Sequence, residues 1–279
     1  MSGFRTDSAR RCFERRYAEL AAQWPVPAEE LDVESGFGTT RVRRFGPEDG
    51  TPLVLLPGAN LTSLSFARHA PALGARHRVH AIDPLGELGR NTQRAPLPDP
   101  PTTMRWLAET LDSLGIECAD FAGVSRGGWL AASFALAYPA RVRTLTLLDA
   151  PVFAPLGARF YGWLFGLLPF AFAPEALRTR IGPLRATDPA LSFALRAMPL
   201  FRLGACAPVP LRDNELRSLG APTTVLAGAR SALCPLPVAE RRAALIPDCR
   251  FEAVPGEGHL FPVTATELVT TRILARTAG

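Results

Sequence analysis

Gly123-Val124-Ser125-Arg126-Gly127-Gly128 is the stretch of sequence that decides the fold. It follows an apolar run typical of a buried strand, residues 121–124, and precedes a helical stretch that contains Trp129. A serine in a tight turn between strand and helix adopts strained backbone, and glycines beside it permit close approach of neighbouring chain segments. The pattern predicts that Ser125 is a nucleophile at a helix N-terminus, where free N–H groups would stabilise an oxyanion. The alternative is a serine that only caps a helix.

A serine hydroxyl is a weak nucleophile unless a base removes its proton, and the chain has four histidines for that role. His259 stands in Gly256-Glu257-Gly258-His259, directly after the last apolar strand and late in the chain. That position fits the order serine, acid, histidine. His77 and His80 flank the start of an earlier strand, and His69 lies on the helix before it. We therefore predict that His259 is the base and that the other three are structural.

Outward from the serine turn, short apolar runs alternate with helical stretches. The apolar runs are residues 53–56, 79–82, 119–124, 142–148, 223–227 and 251–254. The helical stretches are residues 63–74, 103–115, 126–138, 236–245 and 259–275. Continuous apolar runs are typical of strands buried on both faces of a parallel sheet, with the connecting helices on either side. The sequence therefore predicts an α/β fold with a mostly parallel, doubly wound sheet.

The N-terminal part of the chain has a different pattern. Residues 7–24 place Phe13, Tyr17 and other apolar side chains on one helical face, which predicts a helix that docks on a core. The segments 29–35 and 39–45 are half-polar, and this favours an antiparallel hairpin with one face in water.

Residues 151–217 interrupt the alternation. They are rich in Phe, Leu, Pro and Trp and show no clear strand. We interpret them as a helical cap inserted into a core made of residues 1–150 and 218–279. The apolar side chains of this cap could pack on the core, line a hydrophobic substrate site, or do both.

The charge balance bears on possible partners. The net charge is +5 at pH 7, and since the chain contains no lysine, all 31 basic side chains are arginines. They are scattered among acidic residues, so we expect a solvated surface rather than a groove for nucleic acid. The charged first 16 residues lack the apolar core of a secretory signal, and no apolar run has transmembrane length. We therefore expect a cytoplasmic protein with no membrane span.

Cysteine usage and motif content bear on cofactors. The five cysteines are widely spaced without a Cys-x-x-Cys pair, so we expect reduced, mostly buried thiols. No glycine-rich phosphate loop of the GxGxxG type and no paired Cys/His spacing occurs. We expect no cofactor and no metal, and nothing in the sequence fixes the oligomeric state.

Three motifs together resemble the α/β-hydrolase superfamily: Val54-Leu55-Leu56-Pro57-Gly58-Ala59, the Ser125 turn and the turn that ends in His259. Their spacing agrees with that family from about residue 38 to 275. Two further strings, Gln23-Trp24-Pro25-Val26 and Phe45-Gly46-Pro47-Glu48-Asp49, are similar to bacterial carboxylesterases that hydrolyse aryl-propionate esters. The resemblance implies an α/β-hydrolase fold with an inserted helical cap.

The resemblance also implies an oxyanion hole formed by the backbone N–H groups of Ala59 and Arg126. Asn60 could add a side-chain donor to this hole. Asn60 and Trp163, the latter in the apolar cap, are also possible substrate contacts. The family commonly has His-Gly where this chain has Pro57-Gly58, so one backbone N–H is missing just before the expected hole.

The third member of a catalytic triad, an acid, is absent from its usual place. The family places it in a loop that aligns with residues 228–235, where this chain has Ser231 and no carboxylate. Asp149 ends the strand after the nucleophile helix, where some family members, notably haloalkane dehalogenases, carry their acid. We predict Asp149 as the orienting acid; the alternative is that it caps the entry to the cap or pairs with an arginine. Asp83 is expected to be loop structure, and Glu257 is too close to the histidine in sequence to face it.

Three functions remain open at the level of sequence. In the first, Ser125 attacks an ester or thioester of a lipophilic small molecule while His259 accepts and then returns the proton. The second keeps the fold but performs an elimination, rearrangement or cyclisation in secondary metabolism. The third is a non-catalytic protein that binds a small molecule. Labelled oxygen from water in a carboxylate product would favour hydrolysis over the second.

Overall fold

A computed structural model describes residues 1–172 and 189–277 of the chain. Its β-strands are β1 (Gly3–Phe4), β2 (Ala28–Ser35), β3 (Gly38–Phe45), β4 (Thr51–Leu56), β5 (His77–Ile82), β6 (Thr92–Gln93), β7 (Ala119–Val124), β8 (Val142–Leu148), β9 (Phe201–Arg202), β10 (Thr223–Gly228) and β11 (Cys249–Val254). Its α-helices are α1 (Asp7–Ala21), α2 (Ala70–Gly74), α3 (Pro100–Ser113), α4 (Arg126–Ala137), α5 (Ala158–Phe172), α6 (Pro189–Ala197), α7 (Asp213–Arg217), α8 (Leu236–Ala243), α9 (Phe261–Thr264) and α10 (Thr266–Thr277). All six predicted apolar runs are strands.

Nine of the described strands form one sheet, in the order β11-β10-β8-β7-β4-β5-β3-β2 with β6 paired to β3. Each pair along the path from β5 to β11 is parallel, whereas β3 pairs antiparallel with β2, β5 and β6. The strand order reverses between β4 and β7, which are neighbours. Ligands of open α/β sheets bind at the carboxyl ends of the strands beside such a reversal. The predicted doubly wound sheet is confirmed, and its topology singles out one edge for a site.

Apolar side chains of the central strands are buried on both faces of the sheet. The four residues 53–56 of β4 are each 0% exposed. Trp106 of α3 and Trp129 of α4 belong to the core on one face, and Phe261 of α9 and Ile273 of α10 to the core on the other. Burying a side chain of this kind stabilises the fold by roughly 1.5–3 kcal/mol. The strands that end at the site are therefore held rigidly from both sides.

The N-terminal helix docks on the protein as predicted. Phe13 of α1 stacks on Phe193 of α6, with ring centroids 4.8 Å apart. The helix ends at Ala21 and does not reach residue 24. Trp24 precedes a proline, and the residue before proline is disfavoured in helical backbone.

Two of the predicted helices are broken. The stretch 63–74 is a 3₁₀ turn, Ser63–Phe66, followed by α2, because Pro71 has no N–H with which to continue a helical ladder. The stretch 259–275 begins only at α9, and α9 is separated from α10 by Ala265, whose φ of −110° and ψ of 48° lie outside the helical region.

The predicted cap, residues 151–217, contains α5, α6 and α7, while residues 173–188 of it lie outside the described residues. The expectation that it has no strand is wrong. β9 pairs antiparallel with β1, through Gly3 opposite Arg202 and Phe4 opposite Phe201. The partner strand comes from the far N-terminus, so no local pattern revealed it. The division into a core and a cap stays a prediction.

The predicted hairpin of β2 and β3 is confirmed, but the expectation of one wet face fails for β3, most of which is buried. Trp106 of α3 donates its indole N–H to Thr40 at 2.8 Å, and the ring of Trp24 lies 4.8 Å from the guanidinium of Arg43. Side chains from elsewhere in the chain thus cover the strand.

The expectation of a solvated arginine surface is wrong for several arginines. Arg41, Arg43 and Arg126 are at most 9% exposed, and each pairs with a carboxylate. Guanidinium groups suit buried ion pairs because their planar fork fits carboxylate geometry. These arginines therefore belong to the internal architecture of the protein.

The cysteines are also less buried than expected. Cys12 and Cys118 are exposed, and Cys206, Cys234 and Cys249 are half-buried. All five are free, so none of them forms a disulfide. The exposed pair contradicts the expectation of mostly buried thiols, because helix and loop positions alone did not show which side faces the core.

Candidate active site

Ser125 lies in a strained turn between β7 and α4, as the opening motif predicts. Its φ is 49° and its ψ is −119°, and it is one of three non-glycine residues with positive φ among those described. Its backbone N–H donates to Leu148 O at 2.8 Å, which ties the turn to the neighbouring strand β8. Strain of this kind costs about 1–3 kcal/mol and persists only where the surrounding structure holds it.

Two glycines make room for this turn. A Cβ added at Gly123 would lie 2.3 Å from Gly127 O, and one added at Gly127 would lie 2.0 Å from Leu56 O. Both distances are far inside van der Waals contact, and both contacts are with backbone atoms. Gly123 thus lets the two sides of the turn approach each other, and Gly127 lets the turn pack against the end of β4.

Replacing Gly127 with alanine should lower the free energy of unfolding by about 1–3 kcal/mol, the usual cost of overpacking a core. The methyl group would have to displace either the turn or the end of β4. Urea titration followed by circular dichroism measures the change. Gly220→Ala is the matched control, because a Cβ at Gly220 meets no atom within 4 Å. Equal stability of the two variants would contradict the packing argument.

Asp149 and His259 are brought together although 110 positions separate them in sequence. The Nδ1–H of His259 donates to Asp149 Oδ2 at 2.6 Å. Asp149 lies directly after β8, is 6% exposed and has a φ of 48°, a conformation that Asp tolerates better than most residues. The carboxylate of Asp149 thus faces the imidazole from the end of a central strand.

Two further donors bind the carboxylate of Asp149. Ser231 donates its hydroxyl to Oδ2, and the Gly228 N–H donates to Oδ1 at 3.3 Å. Ser231 is 3% exposed and occupies the loop after β10, which aligns with the usual place of the acid in α/β-hydrolases. The loop after β10 therefore supplies a serine that binds the Asp149 carboxylate at the end of the neighbouring strand β8. A carboxylate with three donors is held in one orientation.

Two aromatic rings of α5 enclose His259. The ring centroids of Phe160 and Trp163 lie 5.9 Å and 5.3 Å from that of the imidazole, both edge-on at 89°. The side chain of His259 is 9% exposed. The imidazole is thus shielded from bulk water by residues of the predicted cap. Trp163 also lines the cavity that contains Ser125 and His259, and its contact with substrate stays a prediction.

The other histidines serve the framework of the protein. His69 donates from Nε2 to Pro262 O at 3.1 Å, and its Nδ1 lies 2.7 Å from Thr270 Oγ1. Burial lowers the pKa of His69 to about 4, and burial together with nearby arginines lowers that of His80 to about 4. His77 and His80 lie on β5, inside the sheet. None of the three lines the cavity beside Ser125.

The loop after β4 passes close to Ser125. A Cβ at Gly58 would lie 3.6 Å from the Cβ of Ser125, and Ala59 and Asn60 line the same cavity. Asn60 has a φ of 58° and is 6% exposed, and its Oδ1 has no hydrogen-bond partner among the described residues. The loop therefore presents backbone and one amide side chain beside the serine.

Sequence reasoning missed Glu87. Its carboxylate accepts from the Asn60 N–H at 2.9 Å through Oε2 and from the Nε–H of Arg126 through Oε1. Glu87 follows β5, whose carboxyl end lies at the same edge of the sheet as the site. The available signal in the sequence is an acidic residue after the carboxyl end of a central strand, the same signal that points to Asp149.

The cavity beside Ser125 and His259 measures about 380 Å³. Apart from these two residues and the loop after β4, its lining is mostly aliphatic and aromatic, with Phe160, Leu167 and Leu195 among its members. A larger hollow of about 650 Å³ lies near the N-terminus, but several of its charged side chains form ion pairs with one another, as Arg10 does with Glu14 and Arg41 with Asp32. The apolar cavity is therefore the candidate substrate site.

In the described part of the chain, no group of three or more His, Cys, Asp or Glu side chains is arranged to hold a metal ion. The same residues contain no helix long and apolar enough to cross a membrane.

The chain is similar to known proteins in sequence and in fold. The model of the alpha/beta hydrolase family matches residues 53–271. An uncharacterized carboxylesterase, nap, of Bacillus subtilis (strain 168) is 27% identical over 268 residues, covering 92% of this chain and 89% of its own. Carboxylesterase YbfK of the same strain is 26% identical over 279 residues, covering 96% and 94%. The crystal structure of naproxen esterase from Bacillus subtilis has a TM-score of 0.85 at 24% identity and covers 97% of this chain and 98% of that one.

Proposed function

Since the chain belongs to the alpha/beta hydrolase family and is a carboxylesterase-like hydrolase, we propose that it hydrolyses esters of lipophilic small molecules through Ser125, His259 and Asp149. The observation that carries the proposal is the hydrogen bond from His259 to Asp149 beside a strained serine in one cavity. A base that is oriented by an acid and lies beside a serine at the carboxyl edge of the sheet is the arrangement that acyl transfer requires.

In the first half-reaction, Ser125 Oγ attacks the ester carbonyl carbon and its proton passes to His259 Nε2. The Nδ1–H is donated to Asp149, so Nε2 is the nitrogen with a free lone pair. The tetrahedral intermediate collapses when the bond to the alkoxy oxygen breaks. The leaving alcohol takes the proton from Nε2, and an acyl group remains on Ser125.

In the second half-reaction, a water molecule attacks the acyl carbon while His259 takes one of its protons. The bond to Ser125 Oγ breaks, the proton returns to the serine, and the carboxylic acid departs. Asp149 stabilises the imidazolium that forms in each half, because a buried negative charge close to a positive one favours the charged form.

In this mechanism the developing oxyanion accepts hydrogen bonds from the backbone N–H groups of Ala59 and Arg126. Arg126 is the first residue of α4, so its N–H is among those that have no partner within the helix and point toward the helix N-terminus. Ala59 lies on the facing loop. Donors fixed in advance stabilise the charge of the transition state without reorganising, and this is often the largest contribution to the rate.

The substrate we propose is neutral and lipophilic at its acyl end. The cavity of about 380 Å³ is within the range for small-molecule sites, roughly 300–1,000 Å³. The guanidinium of Arg126 is engaged with Glu87, so it does not offer a charge to an anionic group of the substrate. Trp163 would contact the acyl or aryl group, and Asn60 would contact a polar atom near the ester.

We propose, on the same grounds, that residues 151–217 form the cap of this site. Helices α5 and α6 both contribute side chains to the cavity, including Trp163 and Leu195. A cap of this kind would exclude water from the imidazole and select for apolar substrates.

Hydrolysis of aryl esters in water labelled with oxygen-18 tests the proposal. We expect one labelled oxygen in the carboxylate product and faster turnover for bulky apolar acyl groups than for acetyl. A product that has lost its leaving group without labelled oxygen would show elimination or cyclisation and would overturn the proposal. The Bacillus subtilis relatives named as carboxylesterases provide the positive control for the assay.

A further inference from the structure

Glu87 joins two segments that come from different parts of the chain. It is 2% exposed, and both of its carboxylate oxygens are engaged. One accepts from the backbone N–H of Asn60 in the loop after β4, and the other from the side chain of Arg126 at the start of α4. One buried carboxylate thus bridges the loop and the nucleophile turn.

These two segments carry the proposed oxyanion donors. Arg126 supplies one donor from its own backbone, and Ala59, immediately before Asn60, supplies the other. The N–H groups of Ala59 and Asn60 belong to adjacent peptide planes, which are linked only through the φ and ψ angles of Ala59. A hydrogen bond that holds the Asn60 N–H therefore also restricts the direction of the Ala59 N–H. Glu87 therefore acts on both sides of the hole at once.

The ion pair of Glu87 with Arg126 is buried. The side chains of Arg126 and Glu87 are 7% and 2% exposed, so removing their charges from water is costly unless each is paired and hydrogen-bonded. Asn60 keeps a positive φ, a conformation that needs support from its surroundings. Without Glu87 the buried N–H of Asn60 would lose its partner, and nothing else among the described contacts holds the loop to the start of α4 in this way.

We infer that Glu87 is a positioning residue that fixes the separation of the two oxyanion donors, an inference that rests on the proposed esterase function. A donor that is displaced stabilises the transition state less but leaves ground-state binding of the ester nearly unchanged. The loss should therefore appear in kcat and in the affinity for a tetrahedral adduct, and not in KM.

The test is Glu87→Gln, measured on the full-length protein with an aryl ester. An amide can accept from only one of the two donors, because its nitrogen faces the other. We expect kcat to fall about 10- to 100-fold, with KM changed less than about twofold, since removal of a whole donor costs about 10²- to 10³-fold in kcat. The inhibition constant of an aryl trifluoromethyl ketone, whose adduct places an oxyanion in the hole, should rise by the same factor as kcat/KM falls.

Glu30→Gln is the matched control. Glu30 pairs with the buried Arg43 in the hairpin of β2 and β3, at the far side of the sheet from the serine. Loss of that pair should lower thermal stability but leave kcat and the inhibition constant of the ketone unchanged. If both variants lose stability alike and both keep kcat, Glu87 is only structural and the inference is overturned.

Glu87→Gln combined with Arg126→Gln covers the case in which the single variant does not fold. The double variant leaves no unpaired charge buried, and the same loss of kcat and of ketone affinity is expected. Wild-type protein provides the separate check on the proposed function. If it hydrolyses the ester and the variants do so equally well, the inference fails alone; if it does not hydrolyse any ester, the proposed function fails and the inference with it.

Discussion

Ser125→Ala should lower kcat for ester hydrolysis on the order of 10⁶-fold, the loss found when the nucleophile of such a triad is removed. Without Oγ no acyl-enzyme can form, and His259 has no serine proton to accept. The fold should persist, because the bond that ties the turn to Leu148 O is donated by the backbone N–H of Ser125 and does not involve its side chain.

The mass of the intact protein after treatment with a small fluorophosphonate provides a second readout. We expect one adduct on the wild type and none on Ser125→Ala. Ser133→Ala is the matched control, since Ser133 lies on the same helix α4 and is likewise 9% exposed. An adduct that survives in Ser125→Ala, or that disappears in Ser133→Ala, would place the reactive nucleophile elsewhere.

Asp149→Asn should lower kcat about 10⁴-fold, as when the carboxylate of a triad is replaced by an amide. The amide no longer provides a negative charge to the imidazolium, and its NH₂ group can turn His259 to the wrong tautomer. Asparagine also tolerates the positive φ of this position, so the fold should persist. Steady-state kinetics and circular dichroism check the two statements.

Asp120→Asn is the control for loss of a buried carboxylate. Asp120 is 0% exposed, accepts from Thr144 and Arg143, and lies on β7 five positions before Ser125. We expect Asp120→Asn to change stability and leave kcat within a few-fold. If Asp149→Asn keeps wild-type turnover, Asp149 is not part of the mechanism.

A second substitution can move the acid to the neighbouring loop. Ser231 donates to the same Oδ2 that accepts from His259, so a carboxylate at position 231 would lie near the imidazole. We expect Asp149→Asn combined with Ser231→Asp to recover at least about tenfold of the lost kcat, a small part of the 10⁴-fold loss. No recovery in a folded double variant would show that only the end of β8 can present the acid.

The parallel sheet was predictable because its signal is local. Each central strand contains a short run of mainly apolar residues, and each predicted run is a strand in the structure. Two helix predictions failed for local reasons, because Trp24 precedes Pro25 and because Pro71 lacks an N–H. The unpredicted strand β9 and the burial of β3 have another cause, a contact with a distant part of the chain. β9 exists because β1 pairs with it, and Arg43 is buried because Trp24 and α3 cover its strand.

The turn around Ser125 was predictable for the same reason. The conformation of Ser125 depends on glycines two positions away on either side, all within one strand, turn and helix. His259 was identified by its place after the last strand. Asp149 could be named from its strand end, yet the sequence left open whether it caps, pairs with an arginine or faces the histidine.

The sequence alone thus determined the sheet, the turn around Ser125 and the position of His259, because neighbouring residues specify them. Only the tertiary structure decided that Asp149 receives the Nδ1–H of His259 across 110 positions, that Ser231 donates to the same carboxylate, and that Glu87 joins the loop after β4 to the start of α4. The physical reason is that hydrogen bonds act over about 3 Å in space. Which side chains come that close depends on how the strands are ordered and not on their order in the chain.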